Sequence, residues 1–109
     1  MFIIPMILII LCNELVIKII WTKHANERFW ERALIYGLTK TELEEIIIKQ
    51  KVRIPQGFDT KYNKNKFQTI GAVGKNFFTI EKAEDKNKII VITLWESKES
   101  EIELWHSRK

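Results

Sequence analysis

His24 is the side chain in this sequence with the clearest potential for proton transfer. An imidazole exchanges protons near neutral pH, so His24 is suited to act as a general acid or a general base. Arg28 follows four residues later, where a helix would bring its guanidinium beside His24 and let the two hold a phosphate. The same spacing is also typical of an exposed helix face on which charged side chains pair with one another. His24 is therefore either an acid–base group or a polar surface residue.

The segment 49–66 is rich in basic and aromatic residues. It contains six lysines or arginines and a single acid, Asp59, and aromatic residues lie between the cations. Cations bind phosphates and aromatic rings stack on bases, so this composition is typical of a surface that binds single-stranded RNA. The candidate RNA-binding residues are Arg53, Lys61, Tyr62, Lys64 and Lys66. The alternative interpretation is an exposed basic loop in a lysine-rich protein.

Thr93 is a lone hydroxyl within the apolar run 89–95. A β-branched hydroxyl is favoured in strands, but Thr93 would bond a phosphate oxygen if it faced a groove.

The absence of other residues and motifs argues against several classes of protein. One cysteine and two histidines argue against a disulfide framework and a cysteine- or histidine-rich metal site. The nucleotide-binding, zinc-protease and serine-hydrolase motifs do not occur in the sequence. We therefore predict no metal and no cofactor.

Length and composition predict one small α+β domain. The chain has 109 residues, of which 46% are apolar, and its formal net charge of +4 permits an anionic partner. The apolar run 2–12 is too short to span a membrane, which takes roughly 20 residues. We expect residues 1–16 to be an extension outside the native domain and residues 17–109 to form that domain. The alternatives for the extension are an interfacial anchor or a strand that packs on a partner.

The predicted order of elements is a short strand, two helices, a loop and a β-meander. The helices are marked by their caps, Thr22 before the first and Thr39 with Glu42 as a capping box before the second. Short turns join the later strands, which makes those strands antiparallel neighbours. The predicted ranges are 17–21 for the first strand, 23–36 and 40–50 for the helices, 51–65 for the loop, and 66–73, 76–82 and 88–95 for the meander. The tail 96–109 fits a short helix or a returning strand, and we favour the strand.

Residues 22–39 resemble a small toxin-like family of uncharacterised function that is grouped with the RelE-like ribonuclease toxins. The matching motifs are His24-Ala25, Glu27-Arg28, Glu31-Arg32, Leu38-Thr39 and the final strand 90–95. The resemblance implies a barnase/RelE-type fold, in which two N-terminal helices pack on a three- to four-stranded antiparallel sheet.

The same resemblance implies metal-independent RNA cleavage in which the 2′-hydroxyl of the substrate is the nucleophile. His24 would be the acid or base. Arg28 and Arg32 would neutralise the phosphate with help from Lys66 or, alternatively, Lys61, and Thr93 would bond a non-bridging oxygen. The implied partners are RNA, free or ribosome-bound, and a cognate antitoxin protein, in the cytoplasm, with no small-molecule cofactor and no membrane contact. The alternative function is that of a small basic protein that binds RNA or regulates without catalysis.

Overall fold

The computed structural model describes residues 17–49 and 51–108, and the predicted extension 1–16 lies outside the described residues. Within them the chain forms five strands and three helices. The strands are β1 (Lys18–Trp21), β2 (Val52–Asp59), β3 (Lys64–Val73), β4 (Asn76–Glu84) and β5 (Lys88–Glu96). The helices are α1 (Lys23–Arg28, continued by wider and tighter turns to Tyr36), α2 (Lys40–Lys49) and α3 (Glu99–Ser107). None of the helices in this part of the chain is both long and apolar enough to cross a membrane.

The five strands form one mixed sheet in the order β1-β5-β4-β3-β2. β1 pairs with β5 in parallel, from Lys18 opposite Lys88 to Trp21 opposite Val91, and the other pairings are antiparallel. The predicted fold, two N-terminal helices on a three- to four-stranded antiparallel sheet, is therefore wrong. The predicted short strand 17–21 is present as β1, but the sheet has five strands and a parallel pair, and a third helix follows β5. Parallel pairing joins segments that are distant in the chain, so the local sequence of either strand does not predict it.

The segment predicted as a loop contains the edge strand β2. An edge strand has a neighbouring strand on one side only. Proline, which has no N–H to donate, is therefore tolerated there, and Pro55 lies in the edge strand β2. The pairing with β3 shifts register between Pro55 and Phe58. Gly57 lies within this irregularity at φ 91°, a backbone conformation that glycine adopts without strain. Pro55 and Gly57, whose residue types are typical of loops, therefore lie within an irregular strand.

The tail forms the helix α3 and not the predicted strand. The Lys98 N–H donates to Glu101 Oε1 at 2.7 Å, and Glu99 and Glu101 place negative charge in the first turn, where the helix dipole favours it. Further along α3, the Trp105 ring lies 5.1 Å from the Phe77 ring on the sheet. Residues 101–104, in which acidic and apolar side chains alternate as in an edge strand, thus lie in a capped helix that packs on the sheet.

The predicted helix starts and the three strands of the meander are confirmed. Thr22 Oγ accepts the Ala25 N–H at 3.0 Å. Thr39 Oγ accepts the Glu42 N–H at 3.2 Å, while Glu42 Oε1 accepts the Thr39 N–H at 2.9 Å. Gly37, at φ 75°, ends the first helix with the left-handed residue that such a stop requires. These features are confirmed because each depends on residues close in the chain.

The core lies between the sheet and the face formed by α1 and α2. α1 is continued by a π turn, in which the Leu34 N–H bonds to the carbonyl of Phe29. This wider turn rotates less per residue, so it keeps Ala33 in line with Ala25 and Phe29, and all three are buried. They pack with α2 and with β4 and β5 in one apolar cluster, whose members include Leu43, Ile46, Ile47, Phe78, Ile80, Val91 and Leu94. The buried stripe leaves His24 on the exposed side of α1.

Candidate functional site

His24 and the β2–β3 turn line the same surface groove. The groove has a volume of about 610 Å³ and combines the start of α1 with one residue of β5 and two residues of the turn. Its lining residues are Thr22, Lys23, His24, Glu27, Lys61, Tyr62 and Ile92. Three predicted site residues from two distant segments therefore meet here: His24, Lys61 and Tyr62.

Thr22 fixes the position of His24. Its hydroxyl accepts the Ala25 N–H at 3.0 Å and so caps α1, and it also donates to the carbonyl of Ile92 at 3.2 Å. The helix start is thereby tied to the middle of β5. Because His24 lies two residues after this double anchor, its backbone is held beside Ile92 on the wall of the groove.

The turn after β2 presents Lys61 and Tyr62. Asp59 Oδ1 accepts the Tyr62 N–H at 3.2 Å, a local bond by which aspartate commonly stabilises turns. Asn63 takes φ 54°, a left-handed conformation that asparagine tolerates better than most residues. The Lys61 ammonium lies 5.4 Å from the centroid of the Tyr62 ring. The turn thus brings a cation and an aromatic ring to the groove together.

The groove also holds an acid and a second cation that sequence reasoning did not assign to the site. Glu27 and Lys23 both line it. His24 and Glu27 are three residues apart on α1, a spacing that places side chains on the same side of a helix. An imidazole, a carboxylate, two ammonium groups and a phenol ring therefore surround one space. These groups can move protons, balance phosphate charge and stack on a base.

The other residues predicted to be catalytic do not line this groove. Arg28 pairs with Glu31 on the same helix, with 3.4 Å between Nη1 and Oε2. Arg32 is exposed within the π turn. Thr93 adjoins Ile92 and pairs across the sheet with Glu81, which lies on β4. The lining of the groove therefore includes His24 and the turn but none of these three side chains.

Two of the candidate RNA-binding cations are held in ion pairs within the protein. Arg53 donates from Nε to Glu84 Oε1 at 2.9 Å, and its guanidinium lies 3.6 Å from the centroid of the Phe67 ring. Lys64 pairs with Asp85 in the turn between β4 and β5. This hydrogen bond from Lys64 holds the pKa of Asp85 below its ordinary value.

Lys66 differs from these two cations, because it has no ion pair among residues 17–49 and 51–108. It is half-buried on β3 opposite Ala83. It does not line the groove, so of the predicted basic residues only Lys61 does.

A buried ion network centred on Glu84 is a further structural feature that sequence reasoning missed. Lys82 is fully buried, and its ammonium donates to Glu84 Oε2 at 2.8 Å, while Arg53 bonds the other oxygen. Burial lowers the pKa of Lys82 below its ordinary value, and the hydrogen bond to Glu84 offsets part of that effect. The network joins β2 to β4 across β3. Its sequence signal is the continuation of the alternation of Phe78 and Ile80 by two charged residues on the same face.

The part of the chain that the structure describes contains no metal-binding cluster of three or more histidine, cysteine, aspartate or glutamate side chains.

Comparisons with family models, curated proteins and solved structures find no match to this chain. The RelE-like resemblance of residues 22–39 therefore stays a prediction.

Proposed function

We propose that the groove at His24 binds single-stranded RNA and cleaves it, and that the protein is a toxin-type endoribonuclease of a toxin–antitoxin pair. The observation that carries this proposal is the meeting of His24 and Glu27 on α1 with Lys61 and Tyr62 of the turn. The first two supply proton transfer, and the other two supply charge and stacking. The alternative interpretations, a solvent-exposed helix face and an exposed basic loop, do not require these residues to line one groove.

The proposed reaction needs no nucleophile from the protein. The 2′-hydroxyl of the substrate loses its proton to a base and attacks the adjacent phosphorus. The bond to the 5′-oxygen of the next nucleotide then breaks, and an acid protonates that oxygen. The products are a 2′,3′-cyclic phosphate and a 5′-hydroxyl end. His24 and Glu27 are the acid–base groups at the groove, and proton transfer by positioned side chains typically contributes about 10²–10⁴-fold in rate.

The proposal moves the phosphate-binding role to Lys23 and Lys61. Both line the groove, whereas Arg28, Arg32 and Thr93 do not. Ammonium groups stabilise the charge that develops on the phosphorane and attract RNA before reaction. The Tyr62 ring would stack on a base next to the cleaved bond, which selects single strands because bases in a duplex are already stacked.

The direct test is cleavage of a single-stranded RNA by the purified full chain, with His24→Ala and Glu27→Gln as variants. We expect His24→Ala to lower the cleavage rate by at least about 100-fold and Glu27→Gln to lower it less. His106→Ala is the matched control, because His106 lies on α3 against Phe77, outside the groove. An RNA with a 2′-deoxy sugar at the cleaved position should resist cleavage. Equal cleavage rates for the His24→Ala variant and the unmodified chain would contradict the proposal.

As a toxin, the protein would act in the cytoplasm on RNA, free or bound to a ribosome, and a cognate antitoxin would hold it inactive. Expression in cells tests this level of the proposal separately from the chemistry. Induction of the unmodified chain should arrest growth, and induction of the His24→Ala variant should not. Growth arrest by both the unmodified chain and the His24→Ala variant would show that the toxicity does not depend on His24 in the groove.

A second candidate function is RNA binding without cleavage, favoured by the contact between Lys61 and Tyr62. A cation near a stacking ring is sufficient to bind a single strand without any acid or base. This function predicts that the unmodified chain binds RNA, leaves it intact and loses no affinity in the His24→Ala variant. Binding assays with intact RNA recovered after incubation separate the two functions.

A further inference from the structure

Phe58 is an exposed aromatic side chain on the hairpin that also carries the groove residues Lys61 and Tyr62. It lies on β2, four residues before Tyr62, and 58% of its surface is exposed. The extended chain between the two residues spans at most about 14 Å. An aromatic ring that stays mostly in solvent contributes little to the core. Phe58 thus belongs to the same hairpin as Tyr62, although it does not line the groove itself.

A β-bulge sets the face of the sheet on which Phe58 lies. Pro55 pairs with Phe67 and Phe58 pairs with Asn65, so three steps along β2 match two steps along β3. The extra residue lies beside Gly57, which takes φ 91°. Strict alternation from Pro55 would place residue 58 on the opposite face of the sheet. The bulge instead places Phe58 on the same face as Pro55, and bulges commonly re-aim a side chain in this way next to functional sites.

Phe58 lies on the face of the sheet that carries α1. Its partner Asn65 shares a face with Gly71, since the two are an even number of positions apart on β3. Gly71 pairs with Phe78, which belongs to the apolar core between the sheet and the helices α1 and α2. The groove residue His24 belongs to α1 as well. The exposed ring and the helix that supplies the acid–base groups are therefore on the same side of the sheet.

The Phe58 ring is open to solvent, unlike the ring of Phe67 on the neighbouring strand. The Arg53 guanidinium lies 3.6 Å from the centroid of the Phe67 ring, so one face of that ring is occupied. Among the described residues, no cation and no second aromatic ring is stacked on Phe58. An exposed aromatic face can stack on a nucleobase, and Lys61 in the adjacent turn supplies positive charge for the RNA backbone.

We propose that Phe58 is a second stacking site for the RNA that the groove binds. This inference rests on the proposed function and extends it, because one base of a single strand stacks on Tyr62 and another base of the same strand stacks on Phe58. The preferred substrate is therefore a single strand of several nucleotides. A dinucleotide that spans the cleaved bond occupies the groove alone and does not reach Phe58.

The test measures the affinities of the full chain for a dinucleotide and a hexanucleotide of 2′-O-methyl RNA, which stay intact because they lack the free 2′-hydroxyl. Phe58→Ala should raise the dissociation constant of the hexanucleotide roughly 5- to 150-fold, as expected for the loss of one stacked base. It should leave the dissociation constant of the dinucleotide unchanged, which shows that the groove is intact. Phe58→Leu keeps an apolar side chain without a ring and should lose as much affinity, whereas Phe58→Tyr should retain most of it.

Trp30→Ala is the matched control, because Trp30 is a similarly exposed aromatic residue, at 62%, and does not line the groove. It should leave both affinities unchanged. The inference is overturned if Phe58→Ala or Phe58→Leu binds the hexanucleotide as tightly as the unmodified chain does, if Phe58→Ala weakens binding of the dinucleotide equally, or if Trp30→Ala weakens binding as much. RNA binding by the unmodified chain would still support the proposed function in these cases. An unmodified chain that binds neither RNA would contradict the proposed function and this inference together.

Discussion

The ion network at Glu84 and the groove at His24 use charged side chains in opposite ways. At Glu84, a carboxylate with 7% of its surface exposed bonds Arg53 and the fully buried Lys82. At the groove, His24 and Lys61 are exposed and converge on open space. Buried charge must be satisfied within the protein, whereas exposed and converging charge is available to a ligand. The basic segment 49–66 therefore divides into cations that are held in ion pairs, Arg53 and Lys64, and an exposed cation, Lys61, that lines the groove.

The largest expected effect is on stability, from Glu84→Ala. Removal of this carboxylate leaves Lys82 buried without a partner, and loss of one member of a buried ion pair typically costs about 3–5 kcal/mol. We expect the free energy of unfolding, measured by urea denaturation, to fall by about that amount. Glu31→Ala is the control, because it breaks an exposed pair with Arg28 and should cost at most about 0.5 kcal/mol. Similar losses in the two variants would contradict the comparison.

The next effect is on RNA affinity, from Tyr62→Ala. Stacking of one base on an aromatic ring contributes about 1–3 kcal/mol, so the dissociation constant for single-stranded RNA should rise roughly 5- to 150-fold. Tyr62→Phe keeps the ring and should retain most of the affinity. Tyr36→Ala is the control, because Tyr36 is also partly exposed but bonds Glu96 outside the groove. Equal losses from Tyr36→Ala and Tyr62→Ala would show that the turn has no special role.

A smaller effect distinguishes Lys61 from Lys64. Lys61 lines the groove, whereas Lys64 pairs with Asp85. A lysine that contacts a phosphate of a single strand contributes about 0.7 to the slope of log affinity against log salt. We expect Lys61→Gln to reduce that slope by about this amount and Lys64→Gln to leave it nearly unchanged. A salt titration of RNA binding by both variants makes the measurement, and the reverse order would place the RNA on the other side of the turn.

The smallest effect concerns acid stability. The hydrogen bond from Lys64 lowers the folded-state pKa of Asp85 below its unfolded value of about 3.9. A carboxyl group with a depressed pKa contributes stability above the unfolded pKa and loses that contribution as the pH falls through the folded pKa. Asp85→Asn should therefore destabilise the protein at pH 7 and have a weaker effect at the lowest pH at which the protein stays folded. Urea midpoints measured across this range should converge, and a constant difference would contradict the assignment.

The features that were predictable from sequence are those that depend on neighbouring residues. The capping box of Thr39 and Glu42, the cap at Thr22 and the stop at Gly37 each involve a few adjacent positions, and all are confirmed. The parallel pairing of β1 with β5 was not predictable, because it joins segments that are far apart in the chain. The prediction of a loop at 51–65 was wrong over β2, because a proline such as Pro55 is typical of loops and is also tolerated in an edge strand.

The candidate site followed the same rule. His24 could be identified by its residue type, and Lys61 and Tyr62 by the composition of the segment 49–66. That these three residues line one groove depends on the position of the β2–β3 turn relative to α1. The pairing of Arg53 with Glu84 could not be read from the chain, since it crosses β3 to reach β4. Sequence reasoning therefore found more cations than the groove contains and missed Glu27, whose signal was its spacing from His24.

The proposed function requires that His24 and Tyr62 contact the same bound RNA. The most direct measurement is an NMR titration of the full chain with a short 2′-O-methyl RNA, which lacks the free 2′-hydroxyl and so stays intact. We expect the His24 imidazole and the Tyr62 ring signals to shift along one saturation curve, while the His106 signals stay in place. Saturation of the Tyr62 signals without any change at His24 would contradict it.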